Sequence, residues 1–187
     1  MLLNTLKLHL INMITYIKKK LSIQIISSFL LFLLSLIFSI YFNLFNADWH
    51  HPLIMFVNAE NLLSGYIPYK EIFITYGIIT TLIHSFSLLV FGKFIMSPFL
   101  ITAIFYALTF PIFFLILRNF NFSRNISLIS TILIFLIHPS IILPWSNYIA
   151  YFFLLLGIFF FSKKKILIKD SFFIGFFLAL ACLSRQT

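Results

Sequence analysis

Apolar residues in this chain come in long unbroken blocks rather than in alternation. The blocks cover residues 21–45, 95–117, 126–143 and 147–162, and a fifth begins at 171 and is still running at 187. Strands half-buried in a water-soluble fold alternate with a period of two, which these blocks do not. A helix that crosses the hydrocarbon core needs about 20 apolar residues. The pattern therefore predicts an all-α membrane protein with about five transmembrane helices. The third and fourth blocks are joined by a Pro-containing turn, His138-Pro-Ser and then Pro144-Trp-Ser-Asn, where Trp145 and Tyr148 suit an aromatic interface belt. The first block follows basic residues as a signal peptide does, but it is too long for a cleaved signal and reads as a retained anchor.

Between the first two blocks lies a mixed segment, residues 46–94. It holds a short apolar stretch, 78–92, which as a helix is about 22 Å long, short of the roughly 30 Å core. Charge decides its placement. If it does not cross, Lys7, Lys18, Lys19, Lys20, Arg118, Arg124, Lys163, Lys164, Lys165 and Lys169 fall on one side, ten of the thirteen basic residues. The positive-inside rule makes that side cytoplasmic. Residues 1–20 are then cytoplasmic, 46–94 form an outer loop with juxtamembrane helices, and Lys70, Lys93 and Arg185 lie outside. Thr80, Thr81, His84, Ser85 and Ser87 suit a juxtamembrane or re-entrant helix. A further short helix is expected from Pro52 to Leu63, with Gly65 as its cap.

Composition supports the same class. Of 187 residues 62% are hydrophobic, 27 are Phe and only 9% are charged. A soluble domain carries roughly 25% charged residues. The net charge of +9 does not indicate nucleic acid, because the cations sit in short runs between apolar blocks. Cys182, the one cysteine, excludes an intrachain disulfide and a thiolate metal site. No cofactor is required by the sequence, and nothing in it supports a divalent metal. His50 and His51 are candidates for a metal or a phosphate group, but adjacent histidines point apart on most backbones, so one metal site holding both is not expected. The chain ends inside an apolar run, so it reads as the N-terminal part of a longer protein or a truncated frame.

Three of the four acids, Asp48, Glu60 and Glu71, lie in the outer loop. Asp48 directly follows the first block. A carboxylate there can act as a general base on a hydroxyl, hold a metal or mark a helix end in water. The loop then reads Ala59-x-x-Leu62-Leu63-x-Gly65-x-x-Pro68-Tyr69-Lys70-Glu71, then Tyr76-Gly77 and a short helix ending in Phe91-Gly92. This order resembles the first outer loop of GT-C class polytopic glycosyltransferases, the bacterial protein O-mannosyltransferase and aminoarabinose transferase relatives. Two features depart from it. Glu71 stands where many relatives have Asp, and Trp49 follows Asp48 where many have a second acid.

The resemblance implies transfer of a sugar from a polyprenyl-phosphate-linked donor to a glycan, lipid or protein acceptor at the outer face of the bacterial inner membrane. It implies Asp48 as the catalytic base. Lys70 and Arg185 become candidates for the lipid phosphate, and Glu60, Tyr69 and His50 for further substrate contacts. Each has a plainer reading. Lys70 and Arg185 anchor an interface by snorkelling, Glu60 sits on a solvated helix face, and Tyr66, Tyr69 and Tyr76 join the aromatic belt. Two other function classes stand beside the enzyme. A transporter or flippase would carry ionisable groups within its spans, and these spans hold almost none. A non-catalytic or truncated paralogue would lack the helices and outer domain of a complete enzyme beyond residue 187.

Overall fold

The computed structural model describes residues 23–41, 50–74, 76–137 and 143–185. Asp48, His138 and the Lys18, Lys19, Lys20 run lie outside them. The described residues form seven helices and no strand: α1 Ile23–Tyr41, α2 His50–Leu63, α3 Ile78–Phe91, α4 Ser97–Asn119, α5 Arg124–Ile137, α6 Ser146–Phe161 and α7 Ile168–Ser184. Among them α1 and α4 are long and apolar enough to cross a membrane. The later blocks, expected as three more spans, form the shorter α5, α6 and α7.

Helix ends carry local signals. Gly65 takes a left-handed φ of 91° just past α2. Its N–H bonds to Leu62 O at 3.2 Å, and the Tyr66 N–H bonds to Asn61 O at 3.2 Å, the paired bonds of a Schellman cap. Asn121 closes α4 in the same way at φ 66°, with Asn121 N–H on Arg118 O at 3.1 Å and Phe122 N–H on Leu117 O at 3.2 Å.

The surface inverts the soluble pattern. On α1, Ser27, Ser35 and Ser39 are buried while Ile25, Phe29, Leu30, Leu34 and Ile37 are exposed. On α5, Ser127 and Thr131 are buried while Ile129, Leu133 and Leu136 are exposed. Helix α3 repeats this, with Thr80, Thr81, His84, Ser85 and Ser87 inside and Leu82, Phe86, Leu89 and Val90 outside. The polar residues of α3 thus face protein rather than water. An apolar exterior of this kind suits hydrocarbon as solvent, where helices associate through small and hydroxylated faces.

The buried hydroxyls bond back into their own helices. Ser27 donates to Ile23 O at 2.9 Å, Ser39 to Ser35 O at 2.7 Å, Thr102 to Pro98 O at 2.7 Å and Thr131 to Ser127 O at 2.7 Å. Ser35 has a second task. Pro111 lies inside α4 and lacks the N–H that would bond Ala107 O one turn back. The Ser35 hydroxyl stands 3.3 Å from that carbonyl, 2.7 Å from Leu31 O and 3.1 Å from Phe32 O, so its one proton is shared among three acceptors. Neighbouring hydroxyls commonly satisfy carbonyls freed by Pro in membrane helices. Ser35→Ala is expected to destabilise the fold by about 1 kcal/mol. In a Pro111→Ala background, where α4 closes its own bond, the loss should shrink. A double-mutant cycle on unfolding in detergent measures the difference.

Leu31, Tyr106, Phe110, Phe114 and Tyr148 form the core, with Trp145 and Phe135 against it. Tyr148 therefore belongs to the interior and not to an interface belt. Its ring meets Tyr106 at 5.3 Å between centroids, because Tyr148 lies on the face of α6 that packs on α4. Helices α6 and α7 pack as an antiparallel pair through Phe160, which stacks on Phe173 at 5.0 Å and on Phe177 at 5.7 Å.

At the turn of that pair Lys163 Nζ binds Asp170 Oδ1 at 2.6 Å and lies 4.2 Å from the centre of the Phe160 ring. Asp170 Oδ2 accepts the Leu167 N–H at 2.9 Å, capping the start of α7. The helix thus begins at Ile168, ahead of the apolar block. The Lys163 hydrogen bond, then the Leu167 N–H, hold the Asp170 carboxyl below the usual carboxylate range. A depressed carboxylate contributes stability that is complete above its unfolded value, about 3.9, and lost as pH falls through the lower folded value. Asp170→Asn is expected to lower the melting temperature at neutral pH. The gap from the parent protein should close only below about pH 4. Thermal melts across pH test this.

Candidate functional site

The two ends of the bundle differ in charge. One gathers Gln24 at the start of α1, Arg118 and Asn119 at the end of α4, Arg124 at the start of α5, and the α6–α7 turn. The other gathers the starts of α2, α3 and α6 and the end of α7. There the His51 ring meets Trp145 at 5.9 Å, and Thr80 Oγ1 donates to Ser184 O at 2.8 Å. His50, Lys70 and Arg185 belong to this second end. The sequence grouped the same cations by the positive-inside rule.

Helices α2 and α3 form a paired cap. Ala59 is fully buried between them, and Ser85 Oγ donates to Ala59 O at 3.0 Å. His84 is fully buried, with Nε2 at 3.1 Å from Thr102 Oγ1. The Thr102 proton already goes to Pro98 O, so Nε2 carries the His84 hydrogen and donates. Nδ1, left without a partner among the described residues, is then a bare acceptor. The periodicity was available in sequence, since Thr80, His84 and Ser87 at i, i+4 and i+7 share one helix face.

The loop after α2 carries Tyr69, Lys70 and Glu71. Glu71 Oε2 accepts the Ile67 N–H at 2.7 Å, and the Tyr69 N–H bonds to Ile72 O at 3.0 Å. Glu71 thus braces the turn, a role that its difference from the family pattern did not reveal. Tyr69 sits at φ 64°, a left-handed conformation uncommon without glycine and costing about 1 kcal/mol or more. Asn58 Nδ2 donates to Phe73 O at 3.2 Å, tying the loop back along α2. That point is about 12 Å from the His50 end, at 1.5 Å per residue. An open recess of about 470 Å³ is lined by Tyr69, Lys70, Glu71 and Phe73.

Arg185 lines a different recess, about 280 Å³, with Asn147, Tyr151, Leu154, Ala181 and Cys182. Lys70 and Arg185 share an end of the bundle but not one recess. Glu60 pairs with Lys93 at 3.5 Å on the surface, linking α2 to the segment before α4. His50 opens α2, exposed, its ring 5.4 Å from that of His51. Tyr66 and Tyr69 are about half exposed. Asp48, two positions ahead of His50, lies outside the described residues. Of the two residues read from sequence as belt residues, Tyr148 lies in the core and Trp145 packs against it, with its ring on His51. The chain matches no known family model, no curated protein and no solved structure.

Proposed function

We propose that this protein is a membrane transferase that takes a sugar from a polyprenyl-phosphate carrier at the loop end of the bundle. The observation that carries the reading is Arg185 at an apolar recess, next to Ser184, whose carbonyl binds the start of α3, at the end of the bundle where α2 begins two positions after Asp48. A carrier of this kind has an apolar chain and an anionic head. The recess of Tyr151, Leu154 and Ala181 suits the chain, and the Arg185 guanidinium suits the phosphate, because charge-assisted forked bonds are strong in low dielectric. Lys70 and Tyr69, on the open recess, meet the polar half of the complex: Lys70 as a second cation, Tyr69 as a stacking face for sugar.

In the reaction Asp48 takes the proton of the acceptor hydroxyl. The hydroxyl oxygen bonds to the anomeric carbon, and the bond from that carbon to the phosphate oxygen breaks. The electron pair leaves on the phosphate, which Arg185 neutralises. The bacterial cytoplasmic membrane, with the loop end outside, is the setting the charge segregation favours.

Cys182, the sole cysteine and exposed in the same recess, gives a direct test. A polyprenyl-phosphate sugar should slow maleimide labelling of Cys182 in reconstituted protein, and free sugar phosphate should not. Unchanged labelling at saturating donor counts against the site. Arg185→Gln is expected to raise the donor KM about tenfold, the loss of one charge-assisted bond, with Arg185→Lys recovering part of it.

A further inference from the structure

The opposite end of the bundle carries a further recess that the transfer reaction does not use. It measures about 370 Å³ and is lined by Gln24, Arg118, Asn119, Asn121 and Lys164. Every lining side chain is polar, two are cations and none is a carboxylate. Asp170, the acid at this end among the described residues, is already bound to Lys163 and does not neutralise them. Arg118 uses one terminal nitrogen on Phe122 O, and its buried Nε meets no partner among the described residues. Asn119 Nδ2 donates to Ser162 Oγ at 2.9 Å, which fixes that wall. Asn121 is held by its left-handed cap.

An apolar groove starts one helical turn further along α1. It measures about 210 Å³ and runs between α1 and α5, lined by Leu30, Leu34, Leu128 and Ile132 with Arg124 beside Ser27. Gln24 and Ser27 are three residues apart and so adjacent on the α1 surface. A polar, cationic pocket next to a lipid-wide apolar groove has the form of an amphiphile with an anionic head. Basic pockets between membrane helices bind anionic head groups in this way.

We infer that this recess binds one anionic phospholipid, its phosphate on Arg118 and Lys164 and an acyl chain along the α1–α5 groove. The lipid would bridge α1 to α4, α5 and α6. It stands independently of the transferase reading.

The test uses the full chain purified in detergent, with phosphatidylglycerol, phosphatidylcholine and glycerol 3-phosphate as probes. Phosphatidylglycerol should raise the melting temperature, and native mass spectrometry should show one such lipid retained against excess phosphatidylcholine. Arg118→Gln and Lys164→Gln should each weaken this binding about fivefold, while Lys165→Gln, outside the recess, should not. Equal stabilisation by phosphatidylcholine would overturn the inference. So would equal stabilisation by glycerol 3-phosphate, which would make the site one for free phosphate. An equal loss in Lys165→Gln would reduce the effect to general charge attraction and overturn it too. Retention on the unaltered chain decides the matter should a variant fail to fold.

Discussion

Asp48→Asn should lower sugar transfer by about 100-fold or more, the usual contribution of a positioned general base. Asn keeps the size and hydrogen-bonding of Asp but cannot take a proton at neutral pH. The loss is therefore expected in kcat, with the donor KM little changed, because the proposed carrier site holds the phosphate on Arg185. That division sets Asp48→Asn apart from Arg185→Gln, whose effect falls first on KM. Thermal stability should be unaffected, and a transfer assay in reconstituted vesicles reads both parameters. Full activity in Asp48→Asn would remove Asp48 as the base. Activity lost together with donor protection of Cys182 would instead make it a binding group.

The helices follow the apolar blocks because burial and lipid exposure are written in residue type. Thus α4 occupies Ser97–Asn119 where the block is 95–117, and α6 occupies Ser146–Phe161 where it is 147–162. Shorter signals were legible for the same local reasons. Gly65 announces a left-handed cap, and the 78–92 stretch appears as a helix ending before Gly92. Contacts between distant segments were not legible. Ser35 answers the carbonyl freed by Pro111, and no periodicity encodes a pairing across 72 residues. Tyr148 reads as a belt residue because a tyrosine beside a tryptophan near a turn looks alike whether it faces lipid or α4. Several residues that carry the family resemblance turn out to have packing tasks. Ala59 lets α2 and α3 approach, Gly65 caps, and Glu71 braces. The order of those residues therefore speaks first of a built loop, and the proposed chemistry is left to Asp48, Lys70 and Arg185.

Gly77→Ala should destabilise the protein by about 3 kcal/mol, at the upper end of what overpacking usually costs. Gly77 has an ordinary φ of −54°, so conformational freedom is not the reason for glycine here. The reason is the approach of α7. A Cβ on Gly77 would stand 2.0 Å from Leu183 O and 2.5 Å from Ser184 C. Those are backbone atoms at a helix end and cannot swing aside as a side chain would. The end of α7 must shift or the start of α3 must move. Either motion strains the Thr80–Ser184 bond, 2.8 Å long, and displaces Arg185, the next residue. Gly175 supplies the contrast. It lies inside α7 with nothing within 4 Å of an added Cβ, so Gly175→Ala should be neutral or stabilising by up to about 1 kcal/mol. Denaturation of both variants in detergent compares them directly. Equal stability would mean that α3 and the end of α7 do not meet as closely as these atoms stand. In that event Arg185 would lose its fixed place beside the start of α3, and the proposed carrier site would lose its geometry with it.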